Sequence, residues 1–115
     1  MAFASARVLI VDDEAISREM VQFALGHNGF QCDVAEDGME ALQRIAECPY
    51  DVLITDLLMP HMNGGELVIQ LCHQPCRPLV VVHTKVLKAE VIDGLKREGV
   101  DEIISKPTDY TQLAR

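Results

Sequence analysis

No run of apolar residues approaches the roughly 18 that a membrane-spanning helix requires, and no basic segment followed by an apolar stretch stands at the N-terminus. Neither a membrane span nor a secretory leader is expected. The four cysteines, Cys32, Cys48, Cys72 and Cys76, include no C-x-x-C pair, which argues against both a zinc site and a disulfide framework. Basic residues are also scarce: 10 Lys and Arg stand against 18 Asp and Glu, a formal charge of −8. Gripping nucleic acid needs clustered Lys and Arg, so direct binding of DNA or RNA is not expected. Internal repeats, low-complexity tracts and linkers are missing as well. What these absences leave is one cytoplasmic domain over residues 1–115, long enough and, at 49% apolar, greasy enough to enclose a single core.

What the chain does contain is an alternation of short apolar runs with amphipathic stretches. Val8-Leu9-Ile10-Val11, Val52-Leu53-Ile54, Leu79-Val80-Val81-Val82 and Ile103-Ile104 are continuously apolar and mostly β-branched, as strands covered on both faces must be. Gln31 to Ala35 adds a weaker strand. Between them, Ile16, Met20, Phe23 and Ala24 fall on one helical face, as do Leu42, Ile45 and Ala46, and Val68, Leu71 and Cys72. Leu87, Val91 and Leu95 mark a fourth helix. Asn28-Gly29 and Gly99 sit where helices stop, and Asp37-Gly38 and Asn63-Gly64 punctuate the turns before helices start. Strands separated by helices run parallel with right-handed crossovers, which predicts an open α/β sheet with helices on both faces.

Ligands of such sheets bind at the carboxyl ends of the strands. Those ends carry Asp12-Asp13-Glu14, then Asp56, then His83-Thr84, and finally Lys106-Pro107. Carboxylates gathered there repel one another unless a cation or a lysine neutralises them. Oxygen ligands suit Mg²⁺, which usually takes one or two protein carboxylates and keeps its waters. A carboxylate can also act as a nucleophile and form an aspartyl phosphate where nearby cations offset the incoming charge. Blander readings exist: Asp12 and Asp13 are also what a helix N-terminus favours, and Lys106 could be a surface lysine. An Asp closing a buried strand, as Asp56 does, is harder to explain by structure alone.

The set Val11-Asp12-Asp13-Glu14, Asp56-Leu57-Leu58-Met59-Pro60, Met62-Asn63-Gly64 and Lys106-Pro107 resembles the receiver domains of bacterial response regulators, over residues 7 to about 109. The resemblance implies a flavodoxin-like five-stranded sheet in the order 2-1-3-4-5. Asp109 reads as a helix N-cap and Leu113 as its first apolar anchor, so a last helix cut short at Arg115 is expected. The resemblance also implies that Asp56 is the phosphoacceptor, that Asp13 and Asp56 are direct Mg²⁺ ligands, that Asp12 is a ligand through water and the Leu58 carbonyl another, and that Lys106 binds the phosphoryl group. The donor would be a histidine kinase or a histidine phosphotransfer protein. The chain would act as a switch rather than an enzyme, as the N-terminal part of a longer regulator with an output domain or protein partner.

Three positions depart from that pattern. A hydroxyl residue is expected at the end of the fourth strand; counting back from Lys106 gives Thr84, and counting forward from Pro78 gives His83. Neighbouring strand residues face opposite ways, so only one can serve, and Thr84 is the residue chosen. Lys85 follows where a small residue is usual. Ile103 replaces the usual aromatic, so the familiar aromatic switch cannot operate unchanged. Two other classes compete: a pseudo-receiver that is never phosphorylated, against which the joint presence of Asp12, Asp13, Asp56 and Lys106 speaks, and a phosphatase of the haloacid dehalogenase type. The latter needs Asp-x-Asp, and Leu58 stands where its second carboxylate belongs.

Overall fold

The computed structural model describes residues 6–57, 64–74, 77–85 and 88–105. In chain order these form β1 (Arg7–Val11), α1 (Ala15–His27), β2 (Gln31–Ala35), α2 (Gly38–Glu47), β3 (Val52–Thr55), α3 (Gly64–Cys72), β4 (Leu79–Thr84), α4 (Ala89–Glu98) and β5 (Glu102–Ser105). All pairings are parallel, in the order β2-β1-β3-β4-β5. The expected doubly covered sheet is therefore what forms. The expected final helix lies outside the described residues.

Each strand sends alternate residues to opposite faces. Leu9, Val11, Leu53, Val80 and Val82 pack on one side with Ala41 of α2, Leu67, Val68 and Leu71 of α3, and Leu95 of α4. Val8, Ile10 and Ile54 pack on the other with Val21 and Leu25 of α1. Burial on both faces explains the unbroken apolar runs of β1, β3 and β4, and the weaker patterns of β2 and β5 follow from their places at the sheet edges.

Two helix faces differ from expectation. On α1, Ala24 is buried, but Ile16, Met20 and Phe23 are exposed at 77%, 45% and 71%, and the inward face is Ser17, Val21, Ala24 and Leu25. The helix carries two apolar stripes, and the one that matches the spacing of Val8, Ile10 and Ile54 wins the sheet. On α2, Leu42 and Ile45 pack on the core while Ala46 is exposed. The α3 face and the Val91 and Leu95 face of α4 are as expected; Leu87 lies outside the described residues.

The helix ends follow local chemistry. Gly29 (φ 93°) and Gly99 (φ 102°) adopt the left-handed conformation that ends α1 and α4, where a side chain would be strained. Asp37 caps α2 by accepting the Glu40 N–H at 2.9 Å, while Glu40 Oε1 accepts the Glu36 N–H at 2.8 Å.

The edge of the sheet away from the strand carboxyl ends is latched by polar contacts. The Tyr50 hydroxyl donates to Asp33 Oδ2 at 2.6 Å, and the Arg7 guanidinium donates to the same oxygen at 3.2 Å while lying 5.1 Å over the Tyr50 ring. Burial, with the bond to Asp33 adding to it, pushes the Tyr50 hydroxyl up to about 12. A second latch joins β4 to the α4–β5 turn: Asp101 Oδ2 accepts the Val80 N–H at 2.7 Å and Arg77 Nη1 at 2.8 Å. Burial pushes the Asp101 carboxyl up, but these donors outweigh it and hold it below the ordinary range.

Candidate functional site

The carboxyl ends of β1 and β3 place three carboxylates together. One oxygen each from Asp12, Asp13 and Asp56 lie within 4.8 Å of one another. The backbone imposes this proximity. The Asp12 N–H donates to Ala35 O and the Asp56 N–H to Val11 O, both at 3.1 Å, so each residue is held one step beyond its strand by the neighbouring ladder. Asp12 and Asp56 are buried, at 3% and 7% exposure, whereas Asp13 is exposed.

The capping explanation for Asp12 and Asp13 does not fit. The N-cap of α1 is Glu14, which makes no side-chain capping bond, and the first turn carries no acidic residue. Asp12 Oδ1 instead accepts the Glu14 N–H at 3.0 Å, which fixes the turn between β1 and α1. On β3 the Asp56 Oδ1 accepts the N–H of Leu57 at 2.7 Å, and the Thr55 hydroxyl donates to the Asp56 carbonyl at 2.9 Å. Two buried carboxylates and an exposed third, all at one sheet edge and supplying only oxygen donors, fit a hard divalent cation that retains water on its open side.

Thr84 closes β4, is fully buried, and pairs with Ser105, the residue before Lys106. His83, one residue earlier, is also buried. Alternation sends Thr84 to the face of Val80 and Val82, and His83 to that of Val81. Leu58 and Lys106, both expected in the site, lie outside the described residues, as do Met59, Met62 and His61. His27 and His73 are exposed.

One contact went unforeseen. Arg18, on α1, donates through Nη1 to the Asp12 carbonyl at 2.7 Å, with Nη2 3.7 Å from Glu36 Oε1. An arginine one turn into an amphipathic helix reads as a solvated face, and nothing in the sequence marks its inward reach.

The sequence model of the response regulator receiver domain family matches residues 8–115. The chain belongs to that family. It is 36% identical over 110 residues to response regulator MprA of Mycobacterium ulcerans, covering 95% of this chain and 47% of that protein. It is 31% identical over 106 residues to response regulator ArlR of Staphylococcus epidermidis, covering 92% and 48%. The chain thus spans about half the length of the curated relatives it matches. Among solved structures, the chemotaxis protein CheY4 of Vibrio cholerae superposes with a TM-score of 0.88 at 32% identity, covering 95% of this chain and 92% of that one. The receiver domain of the Francisella response regulator 1452 gives 0.89 at 28%, covering 96% and 91%. The protein is accordingly a receiver domain of two-component signalling, and the haloacid dehalogenase alternative falls away. Among the described residues no helix is long and apolar enough to cross a membrane.

Proposed function

We propose that this receiver takes a phosphoryl group onto Asp56 from a phosphohistidine on a histidine kinase or phosphotransfer protein, and that Mg²⁺ held by Asp12, Asp13 and Asp56 makes the transfer possible. The observation that carries this reading is the convergence of the three carboxylates at the sheet edge, two of them buried, with no helix-capping duty to explain them. An Asp56 carboxylate oxygen attacks phosphorus, the P–N bond of the donor breaks, and the donor imidazole keeps the electron pair and takes up a proton. Bound Mg²⁺ supplies charge neutralisation for the transferring oxygens. Asp13 and Asp56 would be its direct ligands, Asp12 a ligand through water, and the Leu58 carbonyl a further one.

Lys106 would hold the phosphoryl group, and Thr84 would report it. A phosphoryl group adds length outward from the Asp56 carboxylate, and Thr84 ends β4 about 3.3 Å further along the strand than His83, which supports Thr84 for that contact. Movement of Thr84 would pass to the 85–97 segment and α4. A groove of about 330 Å³ lined by Ile92, Lys96, Val100, Ile103 and Ser105 lies beside it. Ile103 is stiff and branched, so the response would be carried by backbone movement there rather than by a swinging ring.

The exposed stripe Ile16, Met20 and Phe23 starts at the turn after Asp13 and leads away from the acidic site. A donor helix that presents its histidine to Asp56 would cover that stripe, which gives these large apolar side chains a reason to face outward. Coverage of only about half of MprA and ArlR supports a longer native regulator with an output domain. The receiver would act in the cytoplasm, as a switch. The test is to incubate the chain with a small phosphodonor, with and without Mg²⁺, and to weigh the intact protein. The reading requires one added phosphoryl group that depends on Mg²⁺; no added mass contradicts it.

A further inference from the structure

Arg18 makes its shortest contact with the backbone of the site rather than with a carboxylate. Its Nη1 lies 2.7 Å from the Asp12 carbonyl oxygen, a short charge-assisted bond, and its side chain is only 15% exposed. The second contact, 3.7 Å to a Glu36 that is 74% exposed, is a loose surface ion pair of little worth. The carbonyl is therefore what the guanidinium is there to hold.

That carbonyl belongs to the peptide joining Asp12 to Asp13. A peptide unit is planar, so fixing its oxygen fixes the plane from which both carboxylate-bearing residues leave. Two other polar groups of Asp12 are also tied: its N–H to Ala35 O at 3.1 Å, and its Oδ1 to the Glu14 N–H at 3.0 Å. Arg18 holds the carbonyl from α1. Ala35 and Glu36 are consecutive, so the firm join between the β1–α1 turn and the end of β2 is the Asp12 N–H bond, and the Arg18–Glu36 pair adds little to it.

We propose that Arg18 is a positioning residue of the acidic site: by holding the Asp12–Asp13 peptide it keeps both carboxylates converged on Asp56, and the affinity for Mg²⁺ depends on it. This rests on the reading of the three carboxylates as a Mg²⁺ site. Charge and geometry make opposite demands here. A guanidinium near a dication repels it, so a purely electrostatic role predicts tighter Mg²⁺ binding when Arg18 is neutralised. A positioning role predicts weaker binding.

The experiment is calorimetric titration of the chain with Mg²⁺, for the wild type, Arg18→Met and Arg18→Lys, with the urea midpoint of each measured in chelator. Arg18→Met keeps the stem and removes the donors, and should weaken Mg²⁺ binding about tenfold, the lower end of the range for outer-shell partners. Arg18→Lys keeps the positive charge but offers the carbonyl a rotatable ammonium in place of the planar, pre-organised guanidinium, so it holds the peptide less rigidly and should weaken binding about two- to threefold. Should Arg18→Met fail to fold in chelator, the lysine variant decides, and affinity equal to wild type overturns the proposal. Unchanged or tighter binding by a folded Arg18→Met overturns it alone. Absence of Mg²⁺ binding by the wild-type chain overturns the parent reading, and the proposal with it.

Discussion

Asp56 Oδ1 accepts the N–H of the residue that follows it, Leu57, at 2.7 Å. The carboxylate is thereby oriented by the chain's own backbone, and one of its oxygens is directed towards Asp12 and Asp13. In the proposed phosphotransfer a nucleophile held in this way would need little rearrangement before attack, which would lower the entropic cost of the step.

The β4 contact separates two neighbouring residues. Thr84→Ala should leave Asp56 able to accept phosphate but diminish the amide chemical-shift changes in α4 that accompany phosphorylation, because the proposed hydroxyl contact could not form. His83→Ala should diminish them less. Amide spectra of both variants, with and without phosphorylation, check the assignment, and a larger defect in the His83 variant would reverse it.

The outward stripe of α1 predicts a split between donors. Ile16→Ser combined with Phe23→Ser removes two side chains that are 77% and 71% exposed, so stability should change by no more than about 0.5 kcal/mol per site. Phosphorylation by a small phosphodonor should proceed at the wild-type rate, while transfer from the cognate phosphohistidine protein should slow about tenfold or more. Parallel rate measurements decide, and equal slowing with both donors would place the defect in the site instead of the docking face.

Tyr50 sets an alkaline limit on stability. Its hydroxyl is raised to about 12 in the folded chain against about 10 when unfolded, so the neutral form is favoured by folding. That contribution is fully present below about pH 10 and is lost as pH rises through 10 towards 12. Tyr50→Phe should cost about 1–2 kcal/mol at neutral pH, since Asp33 loses its 2.6 Å donor, and should abolish this limb of the pH profile. Urea unfolding midpoints between pH 8 and 11 test both parts.

The sheet was legible because β1, β3 and β4 are apolar on both faces, a pattern with few competing explanations. The acidic trio was legible for a related reason: Asp12, Asp13 and Asp56 follow buried strands directly, where a charge needs a purpose. The inward face of α1 was not, because helical periodicity admits both the 16, 20, 23 stripe and the 17, 21, 24 stripe, and only the packing of Val21 and Leu25 on the sheet chooses between them. Arg18 was hidden for a different reason. Its target is a backbone carbonyl, and no residue type in the sequence marks that partner.

The most direct test of the whole account is the intact mass of Asp56→Asn after incubation with a small phosphodonor and Mg²⁺, beside the wild type. The account predicts one added phosphoryl group on the wild type and none on the variant; a variant that gains the same mass at the same rate would contradict it.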